Sequence, residues 1–176
     1  MSWRLLKTIL ILPGNVAGTI PAVVLWASAG TGYDWSWPEV VAPRLWLALG
    51  LAAAGLTLAV ATVRLFVGPG GGTPAPWDPP RRLVVLGPYR YVRNPMISGV
   101  LFLLAAEALF FASLALAGWA VLFFLINGLY FPLVEEKGLE KRFGDDYRAY
   151  KANVPRWLPR LTPWTPADAN GPGKDG

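Results

Sequence analysis

Four apolar segments, each close to the length needed to cross a bilayer, constrain this chain more than any other feature. They cover residues 5–29, 45–67, 96–116 and 119–134. About 20 apolar residues cross a hydrocarbon layer of about 30 Å as a helix. Hydrophobic residues make up 54% of the 176-residue chain and charged residues only 15%, too apolar a balance for a soluble domain. We therefore predict an all-α polytopic membrane protein with about four transmembrane helices.

Two of these segments predict how the chain is threaded. The first carries Lys7, Pro13 and Pro21 and is longer than the apolar core of a signal peptide. Because it also lacks a clear small-residue cleavage pattern, we expect a kinked span that stays in the protein. The third and fourth segments are separated only by Ala117 and Gly118. So short a connection predicts a tight antiparallel helical hairpin.

The uneven distribution of charge indicates an orientation. The formal net charge is +5. The connection between the second and third segments is basic, with Arg81, Arg82, Arg90 and Arg93 and a single acidic residue, Asp78. The connection between the first two segments is acidic, with Asp34 and Glu39. Arg4 and Lys7 add positive charge at the start. Positive connections stay inside, so we expect both termini in the cytoplasm and a bacterial-type inner membrane.

The chain contains no cysteine and no histidine. This absence excludes thiol nucleophiles, disulfides, imidazole bases and zinc sites built from Cys and His. Chemistry must therefore come from carboxylates, Arg, Lys, Tyr or a bound cofactor. We predict no metal and no nucleic-acid partner.

Local signals predict how the polar parts fold. Asn94 followed by Pro95 favours a helix start, because Asn is a good N-cap and Pro is tolerated in the first turn. Gly144 is a natural helix stop, and residues 145–153 predict a second short helix. Residues 154–160 are predicted to form a proline-locked extended segment, amphipathic enough to lie on a membrane. The charged helix after the fourth segment is expected to place Glu136 on a solvated face.

These signals divide the chain into three predicted parts. Residues 1–67 form an N-terminal transmembrane helical pair. Residues 68–164 form a core that contains a cofactor loop, the transmembrane hairpin and a cytosolic C-terminal helical cap. Residues 165–176, rich in Pro, Gly and Asp, form a disordered tail.

Four polar blocks are the candidates for chemistry. They are Gly87-Pro88-Tyr89-Arg90-Tyr91-Val92-Arg93-Asn94-Pro95-Met96, Glu135-Glu136, Phe143-Gly144-Asp145-Asp146-Tyr147 and Val154-Pro155-Arg156. The first block precedes the third apolar segment and the second follows the fourth, so a hairpin would bring both to one membrane surface. In their order, the blocks resemble the isoprenylcysteine carboxyl methyltransferase and phospholipid methyltransferase superfamily over about residues 80–160.

The resemblance implies a membrane enzyme that binds S-adenosylmethionine on the cytosolic side and methylates a lipophilic or small acceptor. The positions carried over as cofactor contacts are Arg81, Arg82, Leu83, Val84, Tyr89, Arg93, Asn94, Pro95, Met96, Ile97 and Glu135. The family pattern usually has His at Asn94 and Tyr at Ile97, and the isoprenylcysteine enzymes have Arg at Phe131. Methyl transfer from a sulfonium needs alignment in a dry site, not a protein nucleophile, so we assign no catalytic residue.

A predicted substrate pocket consists of Glu107, Asn127 and Phe131. An ionisable group within a membrane span is costly and often functional. Glu107 therefore either bonds to Asn127 on the neighbouring span or positions the acceptor.

Two other functions remain open at this stage. Membrane sterol and enone reductases have a similar C-terminal architecture but use NADPH, and a scaffold of the same fold without turnover is compatible with Asn94 and Ile97. Under every alternative the surrounding partners are membrane lipids.

Overall fold

Helices account for all regular secondary structure in the part of the chain that the structure describes. The computed structural model describes residues 14–33, 35–72 and 80–166. The helices are α1 (Ile20–Ser28), α2 (Pro43–Val67), α3 (Pro95–Phe110), α4 (Leu114–Tyr130) and α5 (Glu136–Asn153). A π-helical turn, Asn15–Thr19, leads into α1, a 3₁₀ turn, Gly87–Arg90, precedes α3, and a second π-helical turn, Phe131–Glu135, joins α4 to α5. The all-α prediction is confirmed.

Two helices are long and apolar enough to cross a membrane. They are Pro43–Val67 and the continuous Leu114–Asn153, with mean hydropathies of 2.0 and 1.9 in their most apolar windows. Asn15–Ser28 and Pro95–Phe110 are apolar but shorter. The arrangement with four spans therefore stays a prediction. Arg4 and the start of the first segment, with Lys7, lie outside the described residues.

The predicted connection between the third and fourth segments is wrong. Ala117 and Gly118 lie inside α4, and the break falls instead at residues 111–113. Ala112 has a φ of +48°, which ends α3, and the Ser113 hydroxyl accepts a hydrogen bond from the Leu116 amide at 3.3 Å, as a helix N-cap does. A hydropathy pattern does not reveal this break, because apolar residues surround it on both sides.

The chain divides into two compact units, which are described separately. The first combines the described residues up to Ala59 with Ile97–Gly128, and the second combines Val60–Met96 with the described residues from Leu129 onward. The functional division predicted at residues 67 and 68 remains a prediction, because packing units do not define function. Of the predicted disordered tail, residues 167–176 lie outside the described ranges.

In the first unit, α2 and α3 approach each other at two glycines. A Cβ added at Gly55 would lie 2.7 Å from the Gly99 carbonyl oxygen, and a Cβ added at Gly99 would lie 3.0 Å from the Gly55 oxygen. Near the end of α3, Trp35 and Trp37 pack edge-on against Phe111 at ring distances of 5.6 and 5.4 Å. Small residues and aromatic rings therefore both hold this unit together.

In the second unit, the core lies between α5 and the chain that follows it. Tyr147, Tyr150, Val154 and Trp164 form a buried cluster. Gly144 has a φ of +55° and divides α5 into two helical segments, which confirms the predicted stop. Residues 154–164, here called the C-terminal strap, contain no helix. Backbone amides link the strap to the segment before α3, with Arg160 donating to the Tyr91 oxygen and Trp164 to the Arg90 oxygen.

Candidate cofactor site

The two principal polar blocks contact each other within the second unit. Arg93 of the block at residues 87–96, here called the basic turn, donates from Nη1 to Glu136 Oε1 at 2.8 Å. Its Nε donates to the Val154 oxygen at 2.8 Å, which adds the fourth block to the same cluster. Segments separated by 43 and 61 positions thus meet at one place. The hairpin predicted from the sequence accounts for the first of these contacts, between the basic turn and the paired glutamates.

Glu136 is the centre of this cluster, and the prediction that it lies on a solvated face is wrong. Only 4% of its side-chain surface is exposed, and it forms ion pairs with Arg93, with Arg156 at 2.7 Å and with Lys151 at 3.1 Å. Glu136 shares the helix stripe of Leu139 and Phe143, three and seven positions later, which faces the core. That spacing is the sequence signal that could have placed it inside.

The charge on Glu136 is stabilised despite its burial. Burial alone would raise the pKa of this carboxyl, but the hydrogen bond from Lys151 and the charges of Arg93 and Arg156 outweigh that effect and lower the pKa. Three cations contact this carboxylate, and two of them, Lys151 and Arg156, are partly exposed. Desolvation is therefore incomplete, and the cations prevail.

Glu135, the preceding residue, has the opposite environment. It is exposed and has no ion pair with another described residue. Desolvation by the surrounding atoms, and secondarily the charge of Glu136, raises the pKa of Glu135 to about 7. Water reaches this side chain and screens part of that shift. Arg93, Arg156 and Lys151 form their ion pairs with Glu136 and not with Glu135, so Glu135 is a carboxylate open to a cation from outside.

Tyr89, in the 3₁₀ turn before α3, has a buried phenol. Its pKa is raised well above 10 by burial first, then by Tyr150 and by the negative charge of Glu135. The Tyr150 hydroxyl donates to the Tyr89 backbone oxygen at 2.7 Å, and the Tyr89 ring packs on Phe66 at 5.4 Å. Tyr89 is therefore a fixed, protonated phenol in the electrostatic range of Glu135.

The other positions predicted to contact the cofactor surround this turn or continue into α3. Arg81 and Arg82 are exposed, Val84 and Pro95 are buried, and Leu83, Asn94 and Met96 are half-buried. The Arg81 backbone amide donates to the Gly70 oxygen at 2.8 Å. Ile97 is half-buried and belongs to the first unit. Pro95 is the first residue of α3, which confirms the predicted helix start.

The predicted substrate pocket is not assembled within either unit. Phe131 is buried in the second unit, whereas Glu107 and Asn127 belong to the first. The Asn127 amide donates to the Phe123 oxygen of its own helix at 2.8 Å. Glu107 Oε2 is buried and has no hydrogen-bond partner among the described residues, so the expected bond between Glu107 and Asn127 is not formed. The pocket itself stays a prediction.

A cavity elsewhere has no part in this site. It has a volume of about 470 Å³ and lies at the connection between α3 and α4. Its lining is mostly small apolar residues, with Arg44 as the charged exception. None of the positions predicted to contact the cofactor lines it.

The chain combines two helices long and apolar enough to cross a membrane with a polar cluster of the basic turn and the paired glutamates. The family model for phospholipid methyltransferase matches residues 43–146, more than half of the chain. The chain belongs to this family, which confirms the resemblance and indicates a membrane methyltransferase. A comparison with curated proteins gave no match.

Proposed function

We propose that the protein transfers a methyl group from S-adenosylmethionine to a lipophilic or small acceptor at the cytosolic membrane surface. The observation that carries this proposal is the ion pair of Arg93 with Glu136, which joins the basic turn to the paired glutamates. Both residues lie within the part of the chain that matches the methyltransferase family. The cytosolic orientation rests on the positive charge of the connection before α3.

The donor set suits this cofactor. S-adenosylmethionine carries an ammonium group, ribose hydroxyls, a carboxylate and a sulfonium. A carboxylate such as Glu135 forms strong charge-assisted hydrogen bonds with an ammonium group or with hydroxyls. Exposed Arg81 and Arg82 supply positive charge for the cofactor carboxylate.

The residues of the proposed site bind the cofactor and leave a route for the acceptor. When bound, S-adenosylmethionine supplies a methyl group that is already activated, so no protein nucleophile is required. Glu135 holds the cationic end, and Tyr89 stays protonated near neutral pH and can donate one hydrogen bond. Exposed apolar residues of the adjoining helix, such as Leu129 and Leu133, leave an open side by which a lipid-soluble acceptor can approach from the bilayer.

We expect Glu135→Gln to weaken S-adenosylmethionine binding by about 10-fold to 100-fold, since a hydrogen bond to a charged group contributes about 1.5–3 kcal/mol. Because the pKa of Glu135 is raised to about 7, affinity of the original protein should rise between pH 6 and about pH 7.5, below the pKa of about 7.7–8.0 of an α-amino group. The variant should lose this pH dependence. Calorimetry on protein in nanodiscs measures both effects.

Glu140→Gln is the matched control, because Glu140 lies on the same helix and pairs with Lys151 at 2.7 Å. Its cofactor affinity should stay within twofold of the original. Equal affinities for Glu135→Gln and the original protein at pH 8 would remove Glu135 from the site. If the two affinities were equal and Glu135→Gln nevertheless lost methyl transfer, residues other than Glu135 would bind the cofactor.

Methyl transfer itself is tested by incubating the purified protein with membrane extracts and isotopically labelled S-adenosylmethionine. Mass spectrometry should find label in a lipid or another apolar small molecule. Binding of the cofactor without any labelled product would instead indicate a scaffold that does not turn over.

A further inference from the structure

Two leucines of the C-terminal strap have almost no contact with the rest of the protein. Leu158 is 80% exposed and Leu161 is 100% exposed. The backbone around them is restrained by Pro155, Pro159 and Pro163. Single exposed leucines are common on protein surfaces, but two on one rigid turn form a local apolar projection.

The position of this turn is fixed by an aromatic contact. The Trp157 ring packs edge-on against Phe131 at 6.2 Å and 88°. Phe131 lies in the last apolar turns of the long helix, and the neighbouring Leu133 and Val134 are exposed. The helix becomes polar at Glu135. Trp157 therefore holds the turn beside the point where the helix passes from apolar to polar.

The charges near the turn are positive. Arg156 binds Glu136, and Arg160 donates from Nη1 to the Asn153 oxygen at 2.6 Å. Aromatic and cationic residues beside exposed leucines are typical of segments that lie in a membrane interface. Two leucines bury far less than the area of about 1,000 Å² expected of a specific protein interface. A bilayer is thus the favoured occupant, and a second copy of the chain is not.

We propose that residues 157–161 form a membrane anchor, with Leu158 and Leu161 inserted among lipids at the boundary between headgroups and acyl chains. Trp157 ties this anchor to the helix, and the ion pair of Arg156 with Glu136 ties it to the candidate site. The anchor fixes the level of that site at the membrane surface. This proposal rests on the membrane location of the protein, and it does not require methyl transfer.

The test uses the absence of cysteine from the chain. Single variants Leu158→Cys and Leu161→Cys are labelled with an environment-sensitive fluorophore and reconstituted in vesicles of phosphatidylcholine and phosphatidylglycerol. A spin label is carried on the lipid acyl chain at either a shallow or a deep position. Asp146→Cys, at an exposed position of α5, is the matched control.

We expect fluorescence at positions 158 and 161 to be shifted to the blue and quenched several-fold more than at position 146, most strongly by the shallow label. Quenching equal to that of the control would show that the leucines lie in water and would overturn the proposal. A blue shift without lipid quenching would show that protein covers them, and it would also overturn it. Neither readout depends on S-adenosylmethionine, so this result and the methyl-transfer result can fail separately.

Discussion

Glu136→Gln is expected to lower the free energy of unfolding by about 3 kcal/mol. Removing one partner of a buried ion pair typically costs about 3–5 kcal/mol, because the remaining charge is left uncompensated. Here three cations, Arg93, Arg156 and Lys151, lose their shared carboxylate. The low end of the range applies because Arg156 and Lys151 are partly exposed and remain hydrated. Denaturant titration in detergent micelles measures the change.

Asp145→Asn is the control for this substitution. Asp145 pairs with Arg148 on the same helix, but its side chain is 92% exposed, so the loss should be about 0–1 kcal/mol. Equal stability losses in the two variants would show that the Glu136 cluster has no special role. A folded Glu136→Gln protein that still binds S-adenosylmethionine normally would limit Glu136 to stability alone.

The same variant has a defined pH signature. Because the pKa of Glu136 is lower in the folded protein than its ordinary value of 4.5, ionised Glu136 stabilises the fold above that value. This contribution is lost as the pH falls through the lower folded pKa. Stability of the original protein should therefore drop at acid pH more steeply than that of Glu136→Gln. Parallel acid profiles would contradict the ion-pair geometry.

Gly55→Ala is expected to destabilise the protein by about 1–3 kcal/mol, the usual range for overpacking. The added methyl carbon would lie 2.7 Å from the Gly99 oxygen and 2.9 Å from Leu103 Cγ. The first of these neighbours is backbone and cannot move without displacing α3. Close approach at small residues is also the usual way in which helices pack in membranes, so a change here acts on the helix contact itself.

Gly50→Ala provides the control on the same helix, since nothing lies within 4 Å of its added Cβ. Alanine is the better helix former by about 1 kcal/mol, so this variant should be as stable as the original or more stable. Thermal unfolding in one detergent compares the two. If Gly55→Ala proved as stable as Gly50→Ala, the close contact between α2 and α3 would be wrong.

The sequence predicted those parts of the fold that depend on local chemistry. The helix start at Pro95 and the stop at Gly144 follow from backbone restrictions within a few residues. The meeting of the basic turn with the paired glutamates was also expected, from the order of the apolar segments. These predictions hold because each rests on a constraint that the rest of the chain does not override.

Other features could not be read from composition or hydropathy. The break at residues 111–113 lies within a uniformly apolar stretch, so only the hydroxyl of Ser113 marks it. The spacing of Glu136 with Leu139 and Phe143 indicates an inward position, but the counterions that stabilise its buried charge, Arg93 and Arg156, are distant in sequence. A charged residue in a charged helix is expected to be exposed. Only the folded structure shows the counterions that other parts of the chain supply.

The long separation between the strap and the basic turn has a consequence for synthesis. Arg93 Nε donates to the Val154 oxygen, 61 positions later, and Arg90 Nε donates to the Trp164 oxygen, 74 positions later. The apolar helices between them leave the ribosome first and can enter the bilayer before either partner exists. A chain that ends before residue 154 would therefore reach the membrane without the hydrogen bonds between the strap and the basic turn. The basic turn reaches its final structure only after the strap has been synthesised.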